Sequence, residues 1–119
     1  MSDKIRDFKD LKVWQESMAL VKEVYRVSIL FPKDEQFILC SQMKRAAISI
    51  PSNIAEGFRR KHNKEYNRFI NIALGSSSEL ETQLILAKDL NFIKENDLVK
   101  LLEKLDYICR MLVNLSKKL

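Results

Sequence analysis

The chain has 119 residues, a formal net charge of +5 and a charged fraction of 31%. Only two glycines and two prolines are present, which argues against a turn-rich all-β protein and favours long helices. The longest uncharged runs, 46–55 and 69–78, are much shorter than the roughly 20 residues that span a bilayer. Because the start of the chain also lacks the pattern of a signal peptide, we expect one cytoplasmic domain over residues 1–119.

The first half of the chain predicts two helices. In a first helix, over about 9–30, apolar residues recur every three to four positions until Pro32 ends it. The predicted inner face of this helix consists of Leu11, Trp14, Met18, Val21 and Tyr25. A second helix, over about 35–58, starts in an acidic pair, has an inner face from Phe37 onward and contains Pro51. We expect a kink there, since an interior proline removes a backbone hydrogen bond.

The second half of the chain predicts two more helices. A third helix, over about 64–90, follows a basic turn, with Asn63 as its N-cap and Asn91 closing it in the left-handed conformation. A fourth, over about 95–118, has the most regular pattern, a heptad of leucines interrupted by Ile108. Four such helices joined by short loops predict an all-α fold: an antiparallel up-and-down four-helix bundle with a proline-kinked second helix.

A second set of apolar residues lies off these inner faces. Its members are Val13, Leu20, Val24, Val27, Leu39, Ile72, Ile85, Leu86, Val99 and Val113. Some of them would widen the stripes that face the core, but the others would be exposed on a monomer. Because large exposed apolar surfaces usually mark interaction sites, this set favours a homo-oligomer.

A polar seam is predicted between the second and third helices, which form a hairpin centred on His62. Residues equidistant from this centre would face each other, so that Arg45 meets Glu79, Ser49 meets Gly75 and Asn53 meets Asn71. The predicted seam consists of Arg45, Ser49, Asn53, Glu56, Asn71 and Glu79. We expect an ion pair between Arg45 and Glu79, with Glu56 placed to join it. A structural role that fixes helix register is favoured; the alternative is a catalytic carboxylate pair of Glu56 and Glu79.

Residues that support catalysis or hold a cofactor are scarce. His62 is the only histidine and lies in a basic turn, and no Glu-x-x-His pair, glycine-rich phosphate loop or Cys-x-x-Cys motif is present. Cys40 and Cys109 fall on apolar helical faces, which favours buried free thiols over a disulfide or a reactive cysteine. We therefore expect no metal, no cofactor and no enzymatic activity.

A basic patch covers the turn between the second and third helices. It comprises Arg59, Arg60, Lys61, Lys64 and Arg68, with Glu65 as the only acidic residue over 59–68. Lys44, further along the second helix, is a sixth candidate contact. Clustered cations neutralise phosphates and release counterions without reading base sequence, so the patch predicts nucleic-acid binding. The alternatives are a surface that docks a protein and a solvated helix end with no direct role.

Several segments of the chain form a recognisable set of motifs. They are Phe8-x-x-Leu11-x-Val13-Trp14, Phe31-Pro32 with Glu35, Ser41-Gln42-x-x-Arg45-Ala46-x-x-Ser49-Ile50-Pro51-Ser52-Asn53-Ile54-Ala55-Glu56-Gly57, Ala73-x-Gly75-Ser76 and Glu79-Leu80-Glu81-Thr82. This set closely resembles the bacterial four-helix-bundle family encoded in intervening sequences of 23S (large-subunit) ribosomal RNA genes. The chain is also similar to the accessory protein of diversity-generating retroelements, a basic pentamer that brings RNA and reverse transcriptase together. The resemblance implies an up-and-down four-helix protomer assembled as a homopentamer.

Taken together, the residues and the resemblance predict a non-enzymatic, oligomeric bundle. We expect it to bind RNA or another nucleic acid, without sequence specificity, through the basic patch. The alternative is a protein-interaction scaffold that docks a partner through its apolar outer faces and has no direct role with nucleic acid.

Overall fold

A computed structural model of the chain describes residues 4–119, which form four α-helices and no strand. These are α1 (Lys12–Ser28), α2 (Leu39–Phe58), α3 (Asn63–Asp89) and α4 (Glu95–Lys117). Each helix packs against two others, so that α1 contacts α2 and α4, and α3 contacts the same two. The predicted all-α four-helix bundle is therefore confirmed. Residues 1–3 of the domain expected over 1–119 lie outside the described residues.

Two of the predicted helix starts are displaced by short 3₁₀ turns. The first turn, Phe8–Asp10, is capped by the Asp7 carboxylate, and α1 begins only after it. The second turn, Lys33–Glu35, contains the acidic pair that was expected to open α2. Ile38, with φ −114° and ψ −91°, separates this turn from α2. Phe37 consequently lies in the loop with 90% of its surface exposed, and its predicted place in the core is wrong.

The buried face of α1 differs from the predicted one. Its buried residues are Val13, Ser17, Leu20, Val24, Val27 and Ser28. Of the predicted face, Trp14 and Met18 are only partly buried and Tyr25 is 42% exposed. The predicted stripe and the buried stripe both have helical spacing. The buried stripe contains two serines, which ordinarily indicate an exposed face. However, Ser17 and Ser28 each donate to the carbonyl oxygen four residues earlier, so their hydroxyls are satisfied inside the core.

The inner face of α4 follows the predicted heptad of apolar residues. Its buried members are Leu98, Leu101, Leu105, Ile108 and Leu112. At the other side of the core, α2 contributes Met43, Ile50 and Ile54, all fully buried. Pro51 is also buried, inside an unbroken run of helical residues. The kink expected at this proline stays a prediction.

The α3–α4 loop closes one end of the bundle. Asn91 has a φ of 66°, which confirms its predicted left-handed conformation. Ile93 is buried, and the Phe92 ring lies 5.7 Å from that of Phe31. At the start of α3, His62 occupies the N-cap position without a side-chain hydrogen bond. The predicted cap, Asn63, is instead the first helical residue.

Both thiols are free, as predicted. Cys40 is fully buried in the core, and Cys109 on α4 is partly buried. None of the helices in the described part of the chain combines the length and the apolar character that a membrane span requires.

Candidate nucleic-acid interface

The α2–α3 turn forms the end of the bundle opposite the α1–α2 loop. Here α2 ends at Phe58, where the Arg60 backbone N–H donates to the Gly57 carbonyl oxygen. The chain then passes through the extended backbone of His62 into α3. The five cations predicted as the basic patch are all exposed at this end: Arg59, Arg60, Lys61, Lys64 and Arg68. We call these five residues the basic end.

Arg59 connects the basic end to the segment before α1. Its Nη2 atom lies 3.2 Å from Oδ1 of Asp7, and its guanidinium lies 4.8 Å from the centroid of the Phe8 ring. The Phe8 ring in turn meets Trp14 edge to face at 5.4 Å. The backbone N–H of Phe8 and the Arg59 guanidinium hold the pKa of Asp7 below its usual value. This segment therefore supplies both a carboxylate and an aromatic ring to position Arg59.

Arg60 and Arg68 both pack on Phe69. Their guanidinium carbons lie 4.7 and 4.8 Å from the centroid of this ring, which is only 6% exposed. Each arginine also pairs with a carboxylate, Arg60 with Glu56 at 2.9 Å and Arg68 with Glu65 at 3.3 Å. Stacking on a buried ring holds a planar guanidinium in place. These two cations are thus preorganised, and part of their hydrogen-bonding capacity is already in use.

The two lysines of the basic end are in a different state. Lys61 and Lys64 are exposed, and neither ammonium group has an ion-pair or hydrogen-bond partner among residues 4–119. Lys61 lies in the turn itself, and Lys64 lies in the first turn of α3. Their charges are therefore directed at solvent and free to meet an anion.

The C-terminus of α4 adds two further cations that the sequence analysis missed. The Ser116 hydroxyl hydrogen-bonds Oδ1 of Asn67, which places the last turn of α4 beside the first turns of α3. The exposed Lys117 and Lys118 follow directly. Their place at this end could have been predicted from the sequence, because an antiparallel bundle brings the end of its fourth helix next to the start of its third.

Lys44 does not belong to the basic end. It lies 14 positions before Phe58 in α2, which is about 21 Å along the helix axis. Its Nζ atom lies 4.8 Å from the centroid of the Tyr25 ring, and the residue is partly buried. The structure thus places Lys44 in the other half of the bundle, away from the basic end, and its role as a sixth nucleic-acid contact stays a prediction.

A small polar seam does join α2 and α3. The Ser49 and Ser76 hydroxyls lie 2.8 Å apart, and Nδ2 of Asn53 donates to the carbonyl and hydroxyl oxygens of Ser49 at 2.7 and 2.9 Å. The predicted partner of Ser49 was Gly75, one position away. Asn71 donates to the carbonyl oxygen of Asn67 within its own helix and does not meet Asn53.

The charged part of the predicted seam is wrong. Arg45 is exposed and has no ion-pair partner in the described part of the chain, while Glu79 accepts only from Gln83, at 3.5 Å. Glu56 pairs with Arg60, so it does not join the other two or form a carboxylate pair with Glu79. Pairing residues by their distance from His62 gave the register of α2 against α3 to within one residue. It could not give the direction in which each side chain points. Ala46 and Ala47 of α2 are buried, whereas the three charged side chains predicted in the seam are all exposed.

Metal ligands do not cluster anywhere among residues 4–119: no group of three His, Cys, Asp or Glu side chains is placed to hold an ion.

No curated protein matches the chain. The model of the family described as 23S rRNA-intervening sequence protein matches residues 9–114, which includes all four helices except the last three residues of α4. The chain therefore belongs to the 23S rRNA-intervening sequence protein family.

Proposed function

We propose that the protein binds RNA or another nucleic acid through its basic end, without reading base sequence, as a non-enzymatic cytoplasmic homo-oligomer. The observation that carries the proposal is the state of Lys61 and Lys64, two exposed ammonium groups with no partner among the described residues. In the sequence they lie between Arg59-Arg60 and Arg68, and each of these three guanidinium groups lies over an aromatic ring. Free and preorganised cations at one end of a bundle are suited to a phosphate backbone.

The distribution of charge supports a backbone contact. Over 59–68 five cations face one acidic residue, although the whole chain has a net charge of only +5. Lys117 and Lys118 extend the same surface. Since each neutralised phosphate releases condensed counterions, binding by such a surface weakens steeply as salt rises.

The aromatic residues at the basic end argue against base readout. Phe69 is 6% exposed beneath its two arginines, and Phe58 and Tyr66 are partly buried, with their rings 6.1 Å apart. Proteins that bind single strands stack bases on exposed aromatic rings. These rings are occupied by cations or by each other, so we expect contacts to phosphates rather than to bases.

Oligomerisation would repeat the basic end and strengthen its field. Several apolar side chains on the outer faces of α2 and α3 remain exposed, namely Ile48, Ile72, Ile85 and Leu86, at 40 to 46%. Assembly would remove these apolar side chains from water, which would stabilise the oligomer. The homopentamer implied by the family resemblance is the assembly we expect.

The test is the binding of a labelled structured RNA across a salt series. We expect Lys61→Ala/Lys64→Ala to weaken binding and to reduce the slope of log affinity against log salt by roughly one for each lost phosphate contact. The matched control is Lys33→Ala/Lys94→Ala, which removes the same charge from two exposed lysines at the opposite end. A flat salt dependence, or equal effects of the two variants, would overturn the proposal.

A second candidate function is a scaffold that docks a protein through apolar surface. The observation that favours it is the exposure of Phe37 and its neighbours in the α1–α2 loop. Apolar docking is not weakened by moderate salt, whereas phosphate binding is. The same salt series therefore separates the two functions, provided that a captured protein partner is measured alongside the RNA.

A further inference from the structure

The α1–α2 loop presents an unusual amount of apolar surface to solvent. Ile29 is 78% exposed, Leu30 66%, Phe37 90% and Ile38 62%. Single exposed apolar residues are ordinary on a protein surface, but four large ones within ten positions are not. We call these four residues the apolar knob.

The loop that presents the knob is held by hydrogen bonds. Nε2 of Gln36 donates to the carbonyl oxygens of Ser28, at 2.8 Å, and Phe31, at 3.3 Å. The backbone N–H groups of Phe31 and Ile38 also donate within the loop, to Ser28 and Glu35. A loop whose backbone is already held by hydrogen bonds loses less conformational entropy when it binds than a disordered loop does. The knob is thus prepared for a partner rather than exposed by disorder of the loop.

A shallow apolar groove lies on the side of the same bundle, between α1 and α2. It has a volume of about 320 Å³ and contains no charged side chain. Its main lining residues are Trp14, Met18, Val21, Ile48, Pro51 and Ala55. This α1–α2 groove is built by the apolar face of α1 that the sequence predicted to be core and that the fold leaves half-buried.

We propose that the apolar knob of one copy seats in the α1–α2 groove of a second copy. The knob and the groove are both uncharged, so no ion is desolvated when they meet. Phe37 would bury on the order of 200 Å² of the about 800 Å² that each partner contributes to a standard interface. The other knob residues and the exposed parts of Trp14 and Ile48 extend this area.

The knob does not occupy the groove of its own chain. Its four residues are 62 to 90% exposed, and none of them lines the groove. The homopentamer that we expect requires a head-to-tail arrangement, in which each copy places its knob in one neighbour and receives the knob of the other neighbour until the ring closes. The basic end takes no part in it. The proposal rests on the oligomeric half of the proposed function and not on nucleic-acid binding.

The test is the mass of the protein in solution, measured by sedimentation over a concentration series. We expect wild type to exceed the 14.0 kDa of one chain. Phe37→Ser in the knob and Ser52→Arg at the exposed rim of the groove should each require at least tenfold more protein to assemble. Both positions are exposed, so both variants should fold. Val99→Ser, at a residue that is 43% exposed on α4, should assemble like wild type.

Mixing the two defective variants gives the sharper result. The Ser52→Arg chain keeps an intact knob and the Phe37→Ser chain keeps an intact groove, so a heterodimer should form at concentrations at which neither variant assembles alone. Assembly that Ser52→Arg leaves intact, or a mixture that stays monomeric, overturns the knob-in-groove contact while the oligomer itself stands. A wild type that remains at 14.0 kDa throughout overturns the oligomeric half of the proposed function as well. The RNA salt series tests nucleic-acid binding separately.

Discussion

A Cβ atom added to Gly57 would lie 2.8 Å from Cβ of Phe69, closer than carbon atoms pack without moving. Only a glycine allows α2 and α3 to approach this closely where they enter the basic turn. The approach has a consequence for the surface, because Arg60 follows Gly57 by three positions and its guanidinium lies over the Phe69 ring. The packing of two helices thus positions a cation of the proposed interface.

The first prediction concerns the stability of this contact. Gly57→Ala should lower the free energy of unfolding by about 1–3 kcal/mol, the usual cost of overpacking, since the Phe69 and Tyr66 atoms it meets are not flexible ends. The matched control is Gly75→Ala within α3, where an added Cβ meets nothing within 4 Å. That change should raise the free energy of unfolding by about 0.5–1 kcal/mol, because alanine suits a helix interior better. Urea unfolding measures both, and effects of the same sign would contradict the close approach.

The second prediction concerns the carboxylates that pair with the arginines of the basic end. Glu56→Gln and Glu65→Gln each release one guanidinium and remove one negative charge from the surface. Exposed ion pairs contribute about 0.2–1 kcal/mol, so RNA affinity should rise up to roughly fivefold.

The control for the carboxylate variants is Glu103→Gln, which removes the same charge from an exposed position on α4. It should change affinity by less than twofold, because its field at the basic end is screened over a distance beyond the Debye length. Binding that the Glu56 and Glu65 variants leave unchanged would show that these arginines do not contact RNA.

The regular parts of the fold followed from local pattern. In α4 the heptad of leucines indicates one face, and its members from Leu98 to Leu112 are buried. Leu115 and Leu119, which continue the same heptad, are only partly buried. In α1 two apolar stripes with the same spacing lie side by side, and the choice between them depends on which neighbour covers which stripe. That choice is made by tertiary packing. Ser17 and Ser28, which hydrogen-bond within their own helix, made the buried stripe look polar.

Some features of the candidate site could likewise be predicted from the sequence, and others could not. The basic residues between Arg59 and Arg68 are contiguous in the sequence, so their clustering was predictable from the order of the chain. Lys117 and Lys118 required only the antiparallel topology. The stacking of two arginines on Phe69 depends on rotamers at one helix end, which no spacing rule supplies. The apolar knob depends on where α2 begins, and helix starts are set by loop geometry that composition does not fix.

The third prediction concerns the hydroxyl pair between α2 and α3. Ser49→Ala and Ser76→Ala each remove one partner of the 2.8 Å hydrogen bond, and each should lower the free energy of unfolding by about 0.5–1.5 kcal/mol. The double variant should cost less than the sum of the two, because the second change removes a hydroxyl that has already lost its partner. Single variants whose costs add fully would show that the two side chains do not interact.

The fourth prediction concerns alkaline pH. Burial raises the pKa of the Cys40 and Cys109 thiols above the ordinary value of 9.0. As pH rises through 9, the thiols ionise in the unfolded chain but keep their protons in the folded one, so the unfolded state binds fewer protons and stability falls. The contribution is fully present below about pH 8 and is lost as pH rises through the folded-state values.

Urea unfolding in a reducing buffer between pH 7 and pH 10 tests this dependence. The reference is Cys40→Ala/Cys109→Ala. This variant should be less stable than wild type at pH 7, because it loses two packed sulfur atoms. Its free energy of unfolding should fall less than that of wild type as the pH is raised. Burial also raises the pKa of Tyr66, from the ordinary 10.0. The residual slope of the cysteine-free variant should therefore appear only near the top of the range. Parallel curves for wild type and the cysteine-free variant would show that the thiols ionise equally in the folded and unfolded chains.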